Sequence, residues 1–197
     1  ALHPLQRRYR VDHLMLNRRR LNDTFYTDTL FSKVKSMNGN TCAQVYSNGS
    51  FTKVFPMPDK TGARVGQTLT DFADDVGIPD TLVMDLAPEQ AGKHTEMQSE
   101  ARRLLVRIRY TDKGRSKQNH TAEGEIGQLK RRWKHRMTTE NVPRCLWDYG
   151  LVHEAEVLSI LARGKDQVPG LEKVLGQTID ISEYLDFGIW DLVWYWD

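Results

Sequence analysis

The apolar positions of this chain change their spacing several times, and each change marks an element. Residues 1–22 follow no sustained period. From there Thr24–Ser32 (TFYTDTLFS) is rich in aromatic and β-branched residues, the composition of a strand. Thr41–Tyr46 and Phe51–Met57 are two further strand candidates, joined across Ser47-Asn48-Gly49-Ser50; an Asn-Gly pair between such runs predicts a hairpin. The spacing then becomes helical. Val65, Leu69, Phe72, Ala73 and Val76 recur every three or four residues until Gly77 stops the run. Thr81–Leu86 reads as a short buried strand after Pro79. Met97, Ala101, Leu104 and Leu105 mark a helix over about 94–105, and Val106, Ile108 and Tyr110 alternate as a fifth strand. A long helix is expected from Asn119 to Thr139, with Ile126, Leu129, Trp133 and Met137 as its buried stripe. Pro143 opens another, carrying Leu146, Tyr149, Val152, Val157 and Leu161 to a stop at Gly164. A polar loop (165–169), a short helical piece and an aromatic, acidic tail follow.

The resulting order, β-β-β-α-β-α-β-α-α, predicts an α/β fold with a mixed five-stranded sheet flanked by helices, an order other small α/β folds approach. It divides the chain into a basic arm (1–22), a core (23–164) and a C-terminal extension (165–197). At 197 residues, 39% hydrophobic and 27% charged, the composition is that of one globular domain with extensions. No apolar run has the length of a membrane span, and the N-terminus lacks the apolar stretch of a secretion signal, so neither a membrane partner nor secretion is expected. Cys42 and Cys145 stand far apart with no CxxC spacing, against a zinc knuckle or disulfide scaffold and in favour of a reducing compartment.

Net charge is only +2, but it is unevenly spread. Arg7, Arg8, Arg10, Arg18, Arg19 and Arg20 face a single acid, Asp12, in the first twenty residues. Lys130, Arg131, Arg132, Lys134 and Arg136 form a second block, and no basic residue follows Lys173. Clustered arginine is the footprint of phosphate contact; solvated helix faces and a basic tail account for it equally.

Three acids fall where a sheet and a helix would gather them. Asp28 sits mid-strand between Thr27 and Thr29, where a buried acid without a partner is costly. Asp85 ends the run TLVMD, and Glu123 opens the long helix a turn before its apolar stripe. Each alone has an ordinary reading: strand-end Asp as a turn acid, first-turn Glu as a complement to the helix dipole. Together, followed by a basic helix, they form a candidate site. Convergent carboxylates repel unless a cation neutralises them, and all-oxygen ligands select Mg²⁺ or Mn²⁺. Two such ions clamp the attacking and leaving oxygens of a phosphoryl displacement, which requires the three carboxylates to meet within the reach of bridging metals.

These residues resemble the catalytic cores of retroelement integrases, of the RNase H-like DDE superfamily. Phe25-Tyr26-Thr27-Asp28-Thr29 is similar to the family's first catalytic strand. Gly77-Ile78-Pro79 with Leu82-Val83-Met84-Asp85 resembles its approach to the second acid, and Gln118-Asn119-His120-Thr121-Ala122-Glu123 resembles the motif carrying the third. Leu146-Trp147, Leu175-Gly176-Gln177-Thr178, Ile181–Leu185 and Phe187-Gly188 resemble copia-type retrotransposons. The likeness spans about residues 23–188. It departs at Asp85-Leu86-Ala87, where the family has Asp-Asn-Gly, and at Ile179, where it has Pro. Gly124 and Gly127, each costing roughly 1 kcal/mol against Ala in a helix, are also unusual in a helix of this role.

The resemblance implies an RNase H-like fold and a polynucleotidyl transferase that trims DNA 3′ ends and joins them to target DNA. Asp28, Asp85 and Glu123 would be the metal ligands, and Lys130 would face element-end DNA, with Arg131, Lys134, Arg18, Arg19 and Arg20 as further DNA contacts. It also implies homo-oligomerisation, origin in a larger polyprotein, and action in the nucleus after a cytoplasmic particle stage. Two other readings stay open: a catalytically inactive DNA-binding relic of the fold, and an RNase H-like nuclease that cuts without joining.

Overall fold

The computed structural model describes residues 18–85, 95–111, 120–163, 167–176, 180–182 and 190–191. Strands β1 (Arg20–Phe31), β2 (Cys42–Ser47) and β3 (Thr52–Met57) form the expected meander. The β2–β3 turn is closed by Asn48, whose Oδ1 accepts from the Ser50 and Phe51 amides at 3.0 and 2.7 Å, with Gly49 at φ 89°. Helix α1 (Gly62–Asp75) crosses to β4 (Ile78–Asp85), and α2 (Glu96–Arg103) leads to β5 (Arg107–Thr111). Helices α3 (His120–Thr139), α4 (Trp147–Ile160) and α5 (Gly170–Leu175) complete the order, with a short 3₁₀ turn, Arg144–Leu146, ahead of α4. The sheet order is β3-β2-β1-β4-β5: β1 is antiparallel to β2 and parallel to β4, and β4 is parallel to β5. This is the mixed five-stranded sheet expected. No helix among the described residues is long and apolar enough to cross a membrane.

Strand alternation gives the sheet two faces, each with its own core. Phe25, Tyr46, Leu82 and Met84 point to one side and pack with Leu69, Phe72, Met97 and Leu104 of the α1–α2 layer. Leu30, Ala43, Val45 and Val54 point to the other and pack with Leu129, Trp133, Trp147 and Leu151 of α3 and α4. Asp28 and Asp85 belong by parity to this second face.

Three details differ from the pattern. The first strand starts at Arg20 rather than Thr24, so residues expected in the arm pair with Ile78 and Pro79; a register shift between Leu21 and Thr24 breaks the alternation and hides them. Leu105 is not part of α2 and is 71% exposed, at φ 56° just past the helix end. The stripe expected for α4 is displaced. Tyr149 and Leu161 are exposed, Leu146 and Val152 are half-buried against the core, and Trp147, Leu151, Ala155 and Leu158 are fully buried. That face also holds Asp148 and Glu154, each 2% exposed or less, which disguise it as polar. Asn38 and Asn40 donate to Asp148, and Arg132 and Arg136 pair with Glu154 at 2.6 and 2.7 Å. Burial alone would raise the Glu154 pKa; the two guanidiniums more than offset it and hold it below its ordinary value.

The glycines of α3 and α4 separate by environment. A Cβ on Gly150 would stand 2.2 Å from the Trp133 ring, so α3 and α4 meet this closely only over glycine. On Gly124 or Gly127 it would meet nothing nearer than 3.7 Å. Gly124→Ala and Gly127→Ala should therefore each stabilise the protein by about 1 kcal/mol, and Gly150→Ala should destabilise it by about 1–3 kcal/mol. Urea denaturation checks both signs; a Gly150→Ala protein as stable as the wild type would refute the packing argument.

Candidate carboxylate site and its basic helix

The parallel pairing of β1 with β4 builds the site. Thr27 stands opposite Met84, so one residue further on Asp28, three residues before the end of β1, lies beside Asp85 at the end of β4, on the α3 face. The Thr29 amide donates to Asp28 Oδ1 at 2.7 Å, and the Thr111 hydroxyl, from the facing position on β5, donates to Asp85 Oδ1 at 2.7 Å. Helix α3 packs over β1 and β2 and carries Glu123 in its first turn, exposed. Asp28 senses the other two acids. Burial pushes the Asp28 carboxyl above its ordinary value, and the charges of Asp85 and Glu123 push the same way; the Thr29 amide and Lys60 partly oppose them. Among the described residues, however, no three His, Cys, Asp or Glu side chains are gathered closely enough to hold a metal ion. Asp28 and Asp85 share one sheet face beneath α3 and offer hard oxygen donors.

Thr111 and Lys60 escape a reading of the sequence alone. Thr111 becomes visible only through the β4–β5 register. Lys60 lies in the β3–α1 connection, where no periodicity speaks.

The two basic segments part company. Residues seven and eleven positions beyond Glu123 return to within about 20° of its direction on a helix of 3.6 residues per turn. Lys130 and Lys134 therefore continue the Glu123 face, and both are exposed, as is Arg131 beside them. Arg132 and Arg136 of the same block turn inward to Glu154. Arg18, Arg19 and Arg20 lie at the opposite end of β1, about 26 Å from Asp28 at 3.3 Å per residue. Each is tied to a helix C-terminus: Arg18 to Asp74 of α1, Arg19 to the Leu175 carbonyl of α5 at 2.5 Å, and Arg20 to the Leu104 and Leu105 carbonyls beyond α2 at 3.3 and 3.0 Å. Cations are favoured there by the helix dipole and the unpaired carbonyls. The structure thus leaves Lys130, Arg131 and Lys134 exposed along the helix that carries Glu123 and sets the three arginines apart. Gln118, Asn119, Leu86, Ala87, Gln177–Ile179 and Glu183–Ile189 lie outside the described residues.

Because Asp28 has a raised pKa in the fold, the folded state holds its proton more tightly than the unfolded chain does. Its contribution is complete below the ordinary value of 3.8 and is lost as pH rises through the folded value. Asp28→Asn keeps an acceptor for the Thr29 amide and removes the charge. Without divalent cations it should resist urea better than the wild type at pH 7, the difference closing in acid; equal midpoints at pH 7 would mean that neither burial nor the neighbouring acids penalise the charge.

Two solved structures are similar over most of the chain. One is a chain of the simian T-cell lymphotropic virus intasome in complex with PP2A regulatory subunit B56 gamma: 17% identity, TM-score 0.63, covering 79% of this chain and 56% of that one. The other is the HTLV-2 integrase catalytic core domain in complex with magnesium, in a trimeric form: 14% identity, TM-score 0.59, covering 78% of this chain and 96% of that one. This chain thus spans little more than half of the intasome chain it matches. No protein-family model and no curated protein sequence matches it. The likeness is one of fold, and with the strand order and helix placement above it shows that the chain has the RNase H-like α/β fold of integrase catalytic cores.

Proposed function

We propose that this chain is the catalytic core of a retroelement integrase, a polynucleotidyl transferase that trims DNA 3′ ends and joins them to target DNA. The observation that carries the reading is the pairing of Asp28 with Asp85 on one sheet face, with Glu123 close enough to raise the Asp28 pKa. Asp28, Asp85 and Glu123 would hold Mg²⁺ or Mn²⁺: their donor chemistry fits a hard divalent cation, and the HTLV-2 core of the same fold was solved with magnesium. The bound ions would supply charge stabilisation for an in-line phosphoryl displacement. The chain's own residues do the rest. Thr29 and Thr111 fix one oxygen each of Asp28 and Asp85, and the exposure of Glu123 leaves it free to close on a cation.

DNA is the proposed partner, laid along α3 with phosphates on Lys130, Arg131 and Lys134. Arg18, Arg19 and Arg20 would touch it only at the far end, about eight base pairs away at 3.4 Å each. A homo-oligomer of a copia-type element, acting in the nucleus, completes the proposal. The motif order of the sequence supports it, as does the oligomeric form of the HTLV-2 core. The departures at Leu86 and Ala87 also fit a DNA-binding relic without chemistry, and product analysis separates the two.

In a Mg²⁺-dependent strand-transfer assay, Asp28→Asn, Asp85→Asn and Glu123→Gln should each lower joining at least about 100-fold, as expected when a group acting in the transition state is lost. Equal joining by wild type and Asp85→Asn would defeat the assignment, and free ends without joined strands would identify a nuclease. Lys130→Ala should reduce the slope of log K against log salt by about one with little change in stability. Arg20→Ala should instead cost about 1 kcal/mol of stability and leave that slope nearly unchanged.

A further inference from the structure

Two features of the sequence have no part in the carboxylate site: Trp147 of the Leu146-Trp147 pair, and the acidic, aromatic run 186–197 (DFGIWDLVWYWD). Both bear on one groove. Where β1 ends, Leu30, Trp133, Met137 and Trp147 line a groove of about 210 Å³, rimmed by Lys33, Lys130 and Arg144, with no acid among its described lining residues. All three cations are exposed. Trp133 and Trp147 are each only 4% exposed, and the indole Nε1 of both is buried with no hydrogen-bond partner among the described residues. Buried indole N–H groups ordinarily find an acceptor. An apolar groove walled by two indoles and rimmed by three cations fits a ligand that combines aromatic side chains with carboxylates.

We propose that the groove is the docking site of the chain's own C-terminal segment, residues 186–197, seated in cis. The segment carries Phe187, Trp190, Trp194, Tyr195 and Trp196 beside Asp186, Asp191 and Asp197, the complement of the groove in both respects. Trp190 is 46% exposed, so apolar surface is there to be buried. Reach allows it. Gly176 lies against Arg19, at the start of β1; from Arg19 to Phe31 the strand runs about 40 Å, and residues 177–189 extend to about 45 Å. A seated segment lies over Lys130, so it and DNA exclude each other there. That consequence rests on the proposed function; the docking does not.

Carbodiimide cross-linking of the full chain tests it, using an equal mixture of natural-abundance and ¹⁵N-labelled protein. Trypsin releases everything after Lys173 as one peptide, since no Lys or Arg follows it. The expected result is same-label cross-links from Asp186, Asp191 or Asp197 to Lys33 or Lys130. Mixed-label pairs would assign the groove to a second copy's tail and overturn docking in cis. Cross-links confined to other lysines, or none, would overturn the groove as the site. As a second measurement, the triple variant Asp186→Asn, Asp191→Asn, Asp197→Asn should shift the indole N–H resonances of Trp133 and Trp147 in ¹⁵N-tryptophan-labelled full-length chain. Unmoved resonances would overturn the proposal equally.

Discussion

The structure depends on one pairing, that of β1 with β4. A meander of three antiparallel strands has two sheet edges; β4 joins the β1 edge, and parallel addition requires a crossover, which α1 provides. The crossover returns through Gly77, at φ 135°, where a Cβ would stand 2.6 Å from the Arg19 carbonyl that accepts the Ile78 amide. Only glycine lets the chain enter β4 this close to β1. From that entry the register runs on to Thr27 and Met84, and the two aspartates fall next to each other without any contact of their own drawing them together.

Helix α3 then carries three tasks on three faces. Ala122, Leu129 and Trp133 bury it against the sheet and α4; Glu125, Arg132 and Arg136 form its ionic seam with the helices and loops behind it; Glu123, Lys130 and Lys134 are left for solvent. The seam is what keeps the remaining cations pointed outward. Glu125, 6% exposed, accepts from Arg163 at 3.0 Å and from Thr52 of β3 at 3.2 Å, so the rotation of α3 about its axis is fixed from both ends. A helix held by its apolar stripe alone would be less firmly set.

Much of this was legible in the residues. The Asn48-Gly49 hairpin, the helical spacing from Val65 to Val76 and the stripe of α3 have single periods and clear stops, and the structure has those elements where the spacing puts them. The two aspartates were legible because an acid in an apolar strand stands out. What the sequence hides is tertiary. The α4 face was obscured because buried Asp148 and Glu154 take their partners from the β1–β2 loop and from α3, remote in the chain. The arginine run 18–20 reads as one charged patch, yet its members turn to three different helix ends. Nor does any spacing specify how closely three side chains from two strands and a helix approach one another.

The alternation of β1 gives its carboxylate a second role, in assembly of the fold. Phe25 and Thr27, 0% and 1% exposed, face one layer, while Asp28 faces the other. A slip of one residue against β4 would exchange the two sets. It would drive Asp28 against Tyr46 and Phe72 and turn Phe25 away from them to the opposite face. The ionised side chain thus penalises misregistered β1–β4 pairings during folding. It does so whether or not the carboxylate takes part in any chemistry, because the penalty depends only on which layer the charge would enter.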